Sequence, residues 1–537
     1  MSNRFKKNSA WIALAIITGV IAVLLWKPTI ARRIFAELIY RLPFSIPGVA
    51  PCLDCNIVMV NLDTMRAPEL PCYGYERNTM PNLCAYAGEN ILFSRFYTQS
   101  SITLDSHMSL FTGLYPSTHQ VINGFTDSLS TDIPQLAETL AARGYRTIWG
   151  GVTDDILLPL DKGLGRGFSE IYDMHQGSDP AEYKKLFPKL LDGTPTFIFL
   201  HSYAPHTPYL PGEGERLYEE APEYTDIPVS VEQYKAHTRS FYEFVIADYV
   251  RRLQSATTAQ SRMKNQQIVG DLRAALAINN LEKAREIVDS LPQFEQYDLR
   301  MTWYWGKINN QDKRMVSYLK GLYDEKLFHT DGDIFELLAF LRKPEVKRKT
   351  IVIFFSDNGE AFMEHGYFDH GWNIYNEETH TPLIVSVPKA MRGVYHELVQ
   401  MVDIYPTLLS LVGIAQKQPV DGRSFLPIIM GKGEQHVGDT YLVGQHRKDA
   451  ITSIRNNRWK LYKNNMPDKK YTELFDLLTD PHEQRNILGE HPSVALHLDS
   501  ALEHILNKSP RYASESGEFP AWIDDEKRKE LINEGYF

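Results

Sequence analysis

Asn56-Ile57-Val58-Met59-Val60-Asn61-Leu62 is a short apolar run that stops abruptly at Asp63-Thr64. Its hydrophobicity is continuous rather than alternating, which predicts a strand buried on both faces, as in a parallel sheet, with polar groups at its carboxyl end. Similar runs recur. Residues 146–150 follow a helical stretch at 133–142 closed by Gly144, 196–200 end at His201, 350–355 end at Ser356-Asp357-Asn358, and 383–387 end at Pro388. Strands alternating with helical segments predict an α/β sheet. Ligands of such sheets gather beyond the carboxyl ends of the strands, so Asp63, His201, Asp357 and Asn358 are expected to share one site despite their distance in sequence.

Around this frame the composition is that of a folded globular protein. The chain has 537 residues, 43% apolar and 23% charged, with 33 Gly and 30 Pro. That length allows three or four ordinary domains, or one large α/β domain with additions. Lys+Arg 57 against Asp+Glu 67 gives a net charge of −10. No global positive field draws in nucleic acid, and no local basic patch replaces it.

Upstream of the first strand, residues 10–26 (AWIALAIITGVIAVLLW) are uncharged. As a helix they span roughly 25 Å, enough to just cross a bilayer core. Arg4, Lys6 and Lys7 precede the run and Lys27, Arg32 and Arg33 follow it. The charges leave the orientation open; no small-x-small cleavage site closes the run, so an uncleaved single-pass anchor is expected. Residues 1–9 form its basic N-terminus. Residues 27–51 read as a proline-bearing linker with a short membrane-surface helix. Cys52, Cys55, Cys72 and Cys84 follow. Outside the cytoplasm they can form two bridges, with three possible connectivities; zinc ranks below, since only Cys52 and Cys55 are close.

Residues 229–320 differ from the α/β part, with polar-rich helical patterns such as 265–291. One copy of a helical-hairpin phrase cannot make a solenoid, so the segment reads as a helical insertion, either a lid or a solvated structural insert. Beyond Pro388 a helix at 402–411 precedes strand-like segments around 441–443 and 459–462, a smaller α+β subdomain.

Taken singly, Asp63, Asp357 and Asn358 are explained by strand-end turns. Together they are oxygen donors of the type that holds a hard divalent cation. Between them, Ser100-Ser101-Ile102-Thr103-Leu104-Asp105-Ser106-His107-Met108-Ser109-Leu110-Phe111-Thr112-Gly113 runs from a polar loop into an amphipathic helix, with Asp105 or Ser106 as the expected N-cap. A hydroxyl at a helix N-terminus meets oriented N–H groups that suit a phosphate or sulfate and help ionise a nucleophile.

These residues resemble the sulfatase family of the alkaline phosphatase superfamily. The opening is Asn56-Ile57-Val58 through Asp63-Thr64-Met65-Arg66, with Cys72-Tyr73-Gly74-Tyr75 and Met80-Pro81-Asn82-Leu83. Thr103 to Gly113, continued by Leu114-Tyr115-Pro116-Ser117-Thr118-His119, is similar to the family's nucleophile helix. Leu200-His201 with Pro205-His206-Thr207-Pro208-Tyr209 is similar to its substrate-side histidine segment. Phe355-Ser356-Asp357-Asn358-Gly359-Glu360, Glu364-His365-Gly366, His370-Gly371 and Tyr375-x-Glu377 resemble its second metal segment, and Asp421-Gly422-Arg423-Ser424 with Leu474-Phe475-Asp476-Leu477 its C-terminal part. The resemblance covers roughly residues 56–490 apart from the insertion. It implies a large mixed, mostly parallel sheet flanked by helices over 52–390, a C-terminal subdomain over 391–490 and a tail over 491–537.

The departures bear on mechanism. The usual sulfatase carries a Cys or Ser, in a C-x-P-x-R context, that is converted to formylglycine. This chain has Thr103 there, Asp105 at the proline and His107 at the arginine, so no formylglycine is expected. The branches with a threonine nucleophile, which this residue resembles, handle phosphorus. The family's paired Asp-Asp becomes Asp63-Thr64. By resemblance, Asp63, Thr103, Asp357 and Asn358 then hold one divalent ion (Ca, Mg, Mn or Zn), and the extra Asp/His set of a two-zinc phosphatase is not evident. His206, His370, His107 and His201 are the candidates to hold the ester oxygens or protonate the leaving group, while His119, His329, His365 and His380 read as structural or peripheral.

A sulfo-threonine lacks the hemiacetal route of elimination, whereas a phosphate ester does not need it. The expected function is therefore a membrane-anchored, metal-dependent enzyme, with its catalytic domain on the extracytoplasmic side. It cleaves or transfers a phosphate-type ester of an envelope lipid or glycan through a covalent Thr103 intermediate. The alternative is a sulfuric ester hydrolase acting on a sulfated glycan or lipid. A non-catalytic anion binder ranks last, because its metal positions would be expected to decay.

Overall fold

The nine strands of the main sheet are β1 (Asn56–Leu62), β2 (Ile91–Tyr97), β3 (Arg146–Gly151), β4 (Glu170–Asp173), β5 (Thr196–Ser202), β6 (Thr350–Phe355), β7 (His380–Ser386), β8 (Gly393–Tyr395) and β9 (Val399–Gln400). The order is β8-β2-β7-β6-β1-β5-β3-β4, with β9 also on β2. This is a computed structural model, and it describes residues 52–516 except 123, 125, 154–157, 175–179, 214–215, 219–222, 257, 431–440, 447–449, 468, 510–511 and 513–514. The expected basic N-terminus, membrane span and linker up to residue 51 lie outside the described residues, as do 517–537 of the tail. Among the described residues no helix is long and apolar enough to cross a membrane.

β1 is wholly buried because both its faces are covered. Ile57 and Met59 enter the core shared with Phe111, Trp149 and Phe199. Val58, Val60 and Leu62 enter the opposite core with Leu319, Leu322 and Leu327. A two-layer cover turns a strand into a continuous apolar run, and that makes the pattern readable. β1, β3, β4, β5 and β6 are parallel.

Two strands depart from the parallel pattern or from the sequence signal. The run expected at 383–387 falls in β7, which spans His380–Ser386 and runs antiparallel to both β6 and β2. β2 itself was not anticipated, because Ser94-Arg95 interrupts its apolar run where the strand is only half-buried.

α1 (Thr103–Thr112) is buried along its whole length. Between β5 and β6 lie α2 (Arg239–Ser255), α3 (Ala259–Ala277), α4 (Leu281–Asp289), α5 (Gln293–Trp305) and α6 (Lys313–Asp333). The single helical pattern at 265–291 is two helices. Asn279 takes a positive φ of 54° and the Asn280 side chain caps α4 by accepting from Lys283 N–H. Thr238, Thr258 and Asp312 cap α2, α3 and α6 in the same way. α2 to α5 close a small core of their own around Phe241, Tyr249, Leu272, Val288 and Leu299.

The helix expected at 402–411 is a 3₁₀ turn at Met401–Asp403 followed by α7 (Ile404–Leu411). The C-terminal part is a four-stranded antiparallel sheet, β10 (Leu442–His446), β11 (Ile451–Arg455), β12 (Trp459–Met466) and β13 (Lys469–Asp476), backed by α8 (Pro492–Lys508). The cysteines pair Cys52–Cys55 and Cys72–Cys84.

A buried ion pair joins this sheet to the loop after β6. Lys460 Nζ lies 2.9 Å from Glu483 Oε1 and donates to the carbonyl of Ile374 at 2.8 Å. The Asn376 N–H donates to Glu483 Oε2 at 3.0 Å. His365 donates from one ring nitrogen to Glu377 at 2.6 Å and from the other to the Glu483 carbonyl at 2.8 Å. Burial pulls the His365 imidazole down, but Glu377 and Glu483 outweigh it and raise it to about 9.

Lys460→Met strands the Glu483 carboxylate and is expected to cost about 3–5 kcal/mol in urea unfolding, part of it recovered in the double variant with Glu483→Gln. The His365 contribution has a definite sign. Its folded value lies above the ordinary 6.5, so the stabilisation is complete below that pH and is lost as pH climbs through about 9. Melting curves over this window should flatten in His365→Gln; an unchanged slope would refute the assignment.

Candidate active site

The parallel register sets the site. Asn61 of β1 pairs with His201 of β5 on one side and Phe355 of β6 on the other. The carboxyl ends of three strands therefore coincide, placing Asp63, His201 and Asp357-Asn358 together. The two carboxylate loops are also tied to each other. Asn61 Nδ2 donates to Asp357 Oδ1 at 2.8 Å, Met65 N–H donates to Ser356 Oγ at 2.9 Å, and Ser356 Oγ donates to the Asn358 carbonyl at 2.8 Å. Tyr323 of α6 holds the turn from behind, donating to the Thr64 carbonyl at 2.8 Å. Gly359 permits the close crossing, because a Cβ there would meet the Glu377 carbonyl at 2.2 Å.

Asp63, Asp357 and Asn358 are fully buried. Neither oxygen of Asp63, nor Asp357 Oδ2, nor Asn358 Oδ1 has a hydrogen-bond donor among the described residues. Burial and the charge of Asp357 push Asp63 well above the usual carboxylate range, while His206 and His370 oppose the shift. Buried carboxylates with unspent lone pairs fit a hard cation. His107 and His201 stand against them. His107 Nδ1 lies 3.6 Å from Asp357 and His201 Nε2 3.5 Å from Asp63. Ligand atoms of His107, His201 and Asp357 lie within 4.8 Å of one another, close enough for one ion to reach imidazole nitrogen as well as oxygen. His107 Nδ1 donates to the Thr103 carbonyl at 2.7 Å, which directs the ring's other nitrogen elsewhere.

Thr103 is the first residue of α1, with Ile102 at the N-cap. The expected caps Asp105 and Ser106 lie inside the helix instead. Ser100 accounts for the difference: its Oγ donates to Asp105 at 3.1 Å and accepts from Ile102 N–H, and its carbonyl accepts from Ser106 Oγ. The side chains are spent on the preceding loop and the helix begins earlier. Thr103 lines a cavity of about 580 Å³ together with His206 and His370, whose rings lie 4.9 Å apart.

Two carboxylates orient His370. Its Nδ1 lies 2.9 Å from Asp369 and 3.4 Å from Glu360. Burial would lower its pKa, but these neighbours raise it well above the usual range. Glu360 is itself pushed up to about 8 by burial and by Asp369. His370 lies against both carboxylates, while Glu360 Oε2 has no hydrogen-bond partner among the described residues. His206 Nδ1 donates to the Thr207 carbonyl at 2.6 Å, leaving Nε2 as its acceptor. Glu378 accepts from the backbone of Gly371 and Trp372 and fixes the His370 loop. Sequence reasoning passed over Glu360, Asp369 and Glu378. The available signal was the adjacency of Asp369 to His370, and of Glu360 to Asp357-Asn358.

A sequence model of the family described as Sulfatase matches residues 55–414, two thirds of the chain. The chain belongs to the sulfatase family. Within the alkaline phosphatase superfamily that family is one of metal-dependent ester hydrolases. A second model, described as N-sulphoglucosamine sulphohydrolase, C-terminal, matches residues 363–508 of this sulfatase-family chain. Arylsulfatase K of Bos taurus is 31% identical over 205 residues, covering 36% of this chain and 38% of that protein. The aligned stretch thus spans little more than a third of these relatives. A protein solved with its substrate D-glucosamine-2-N,6-O-disulfate has a TM-score of 0.58 at 20% identity, covering 85% of this chain and 99% of that one. The phosphonate monoester hydrolase of Agrobacterium radiobacter has a TM-score of 0.59 at 16% identity, covering 85% and 96%. At these identities the two structures share the fold.

Asp63→Asn removes one of two adjacent buried carboxylates. In EDTA the variant is expected to be more stable than wild type by roughly 1–3 kcal/mol, and added divalent ion should raise the melting temperature of wild type only. A variant that loses stability in EDTA would argue against an ion at this position.

Proposed function

We propose that the protein hydrolyses a sulfate ester carried by a glycan, without formylglycine, using Thr103 as the nucleophile. The observation that carries this reading is Thr103 at the start of a buried helix. It opens into a cavity shared with His206 and His370, and the same fold holds the unsatisfied oxygens of Asp63, Asp357 and Asn358. The family match and the arylsulfatase K relatives support sulfate over the phosphate-type ester expected from the threonine alone. That expectation is accordingly set second.

A divalent ion held by Asp63, Asp357 and Asn358, with His107 and His201 as further donors, would supply positive charge to the ester oxygens and ease ionisation of the Thr103 hydroxyl. The residues do the rest. His206 Nε2 takes the proton of the Thr103 hydroxyl, Thr103 Oγ attacks sulfur in line, the S–O bond to the sugar breaks, and the leaving oxygen takes a proton from His370, held cationic by Glu360 and Asp369. Water gives a proton to the now neutral His370 and attacks the sulfur of the Thr103 sulfate ester; the S–Oγ bond breaks, Thr103 Oγ takes back the proton from His206, and sulfate leaves. The N–H groups at the start of α1 face the anionic oxygens.

A phosphonate or phosphate ester is the second reading, favoured by threonine at the nucleophile position and by the fold shared with a phosphonate monoester hydrolase. The apolar run 10–26 is proposed as a membrane anchor for a catalytic domain at 52–390 and a C-terminal subdomain at 391–490. The two disulfides suit an extracytoplasmic compartment.

Turnover of matched 4-nitrophenyl sulfate and 4-nitrophenyl methylphosphonate separates the readings. The proposal expects faster sulfate release, reduced by roughly 10³-fold or more in Thr103→Ala, with a +80 Da adduct on Thr103 after rapid quench. Faster phosphonate turnover would establish the second reading, and release of either product undiminished in Thr103→Ala would remove the nucleophile assignment.

A further inference from the structure

α5 brings Tyr297, Met301 and Trp305 to the cavity at i, i+4 and i+8 spacing, so one stripe of the helix faces it. Its other side is spent within the insertion, where Leu299 and Trp303 join the local core. Phe368 and Trp372, on the loop that carries His370, line the same cavity. The Trp305 and Phe368 rings lie 5.6 Å apart, 31° from parallel, so the insertion rests directly on that loop. All of these aromatic rings are half-buried, each with part of its surface open.

We infer that α5 forms the subsite for the sugar ring that carries the ester, with Trp305 as its specificity-determining residue. The inference rests on the glycan-sulfate reading and deepens it. The lining sets aromatic rings and aliphatic side chains such as Ile122 and Ile308 beside polar groups such as Asp298, Thr302 and Asn310. That mixture suits a pyranose, whose C–H face packs on a ring while its hydroxyls reach polar neighbours. A lipid chain would call for a continuous apolar groove. A densely sulfated ring would call for cations, yet no Lys or Arg is among the described residues lining the cavity. The occupant is therefore a ring with a single anionic group, which Thr103, His206 and His370 receive at the inner end.

The test compares full-length wild type, Trp305→Ala and Trp305→Phe on N-acetylglucosamine 6-sulfate, with inhibition by inorganic sulfate measured in parallel. Trp305→Ala should raise KM about tenfold with kcat within about twofold, leave sulfate inhibition unchanged, and be largely rescued by Trp305→Phe. A KM unchanged in Trp305→Ala would overturn the inference, as would a parallel loss of sulfate inhibition in both variants. Saturation-transfer NMR with unsulfated N-acetylglucosamine keeps the subsite testable if no sulfated sugar turns over. Contact with wild type that is lost in Trp305→Ala and kept in Trp305→Phe supports the subsite while the ester reading falls. No contact with wild type overturns the subsite itself.

Discussion

Two buried carboxylates whose outer oxygens have no hydrogen-bond donor among the described residues, Asp63 and Asp357, sit at the ends of adjacent parallel strands. Taking like charges out of water together opposes folding by several kcal/mol in the absence of a counter-charge. The rest of the site reads as a response to that constraint. The Asn61 amide, the Ser356 hydroxyl and the Tyr323 phenol fix the two loops so tightly that the carboxylates cannot turn apart. The position is therefore pre-organised for a cation, and the strain of assembling it is met by β1, β5 and β6, each buried on both faces.

The second polar cluster solves the opposite problem. Glu360 and Asp369 are buried carboxylates whose counter-charge is covalently present, because His370 lies between them. One cluster awaits its positive charge from outside and the other carries it, and the cavity at Thr103 adjoins the histidine of the second. An anionic ester entering there meets a fixed imidazolium without having to rearrange solvent, which is where electrostatic preorganisation acts.

Much of this was legible in the sequence, for identifiable reasons. Residues 56–62, 196–200 and 350–355 announced themselves because strands covered on both sides admit only apolar side chains, and their polar endings named Asp63, His201, Asp357 and Asn358. β2 was hidden because its half-exposed centre accepts Ser94-Arg95. The direction of β7 was hidden too, since burial pattern carries no information on polarity. At α1 the local rule for N-caps gave Asp105 or Ser106, and a tertiary constraint won: Ser100 claims both. The pairing of His107 with Asp357 and of His201 with Asp63 depends on register across three strands and a helix, which no spacing in one segment encodes. The orienting roles of Glu360, Asp369 and Glu378 were missed because acidic residues in a loop look the same whether solvated or buried.

The helices between β5 and β6 tie these levels together. Helices α2 to α5 hold a core of their own, Met301 and Tyr304 of α5 also enter the sheet's core, and α6 runs on into the sheet's helical layer and places Tyr323 against Thr64. The same segment thus buttresses the carboxylate loop through α6 and walls the cavity through α5. A substitution that shifts the α5–α6 connection would act on the ester's surroundings and on the Asp63 turn at once.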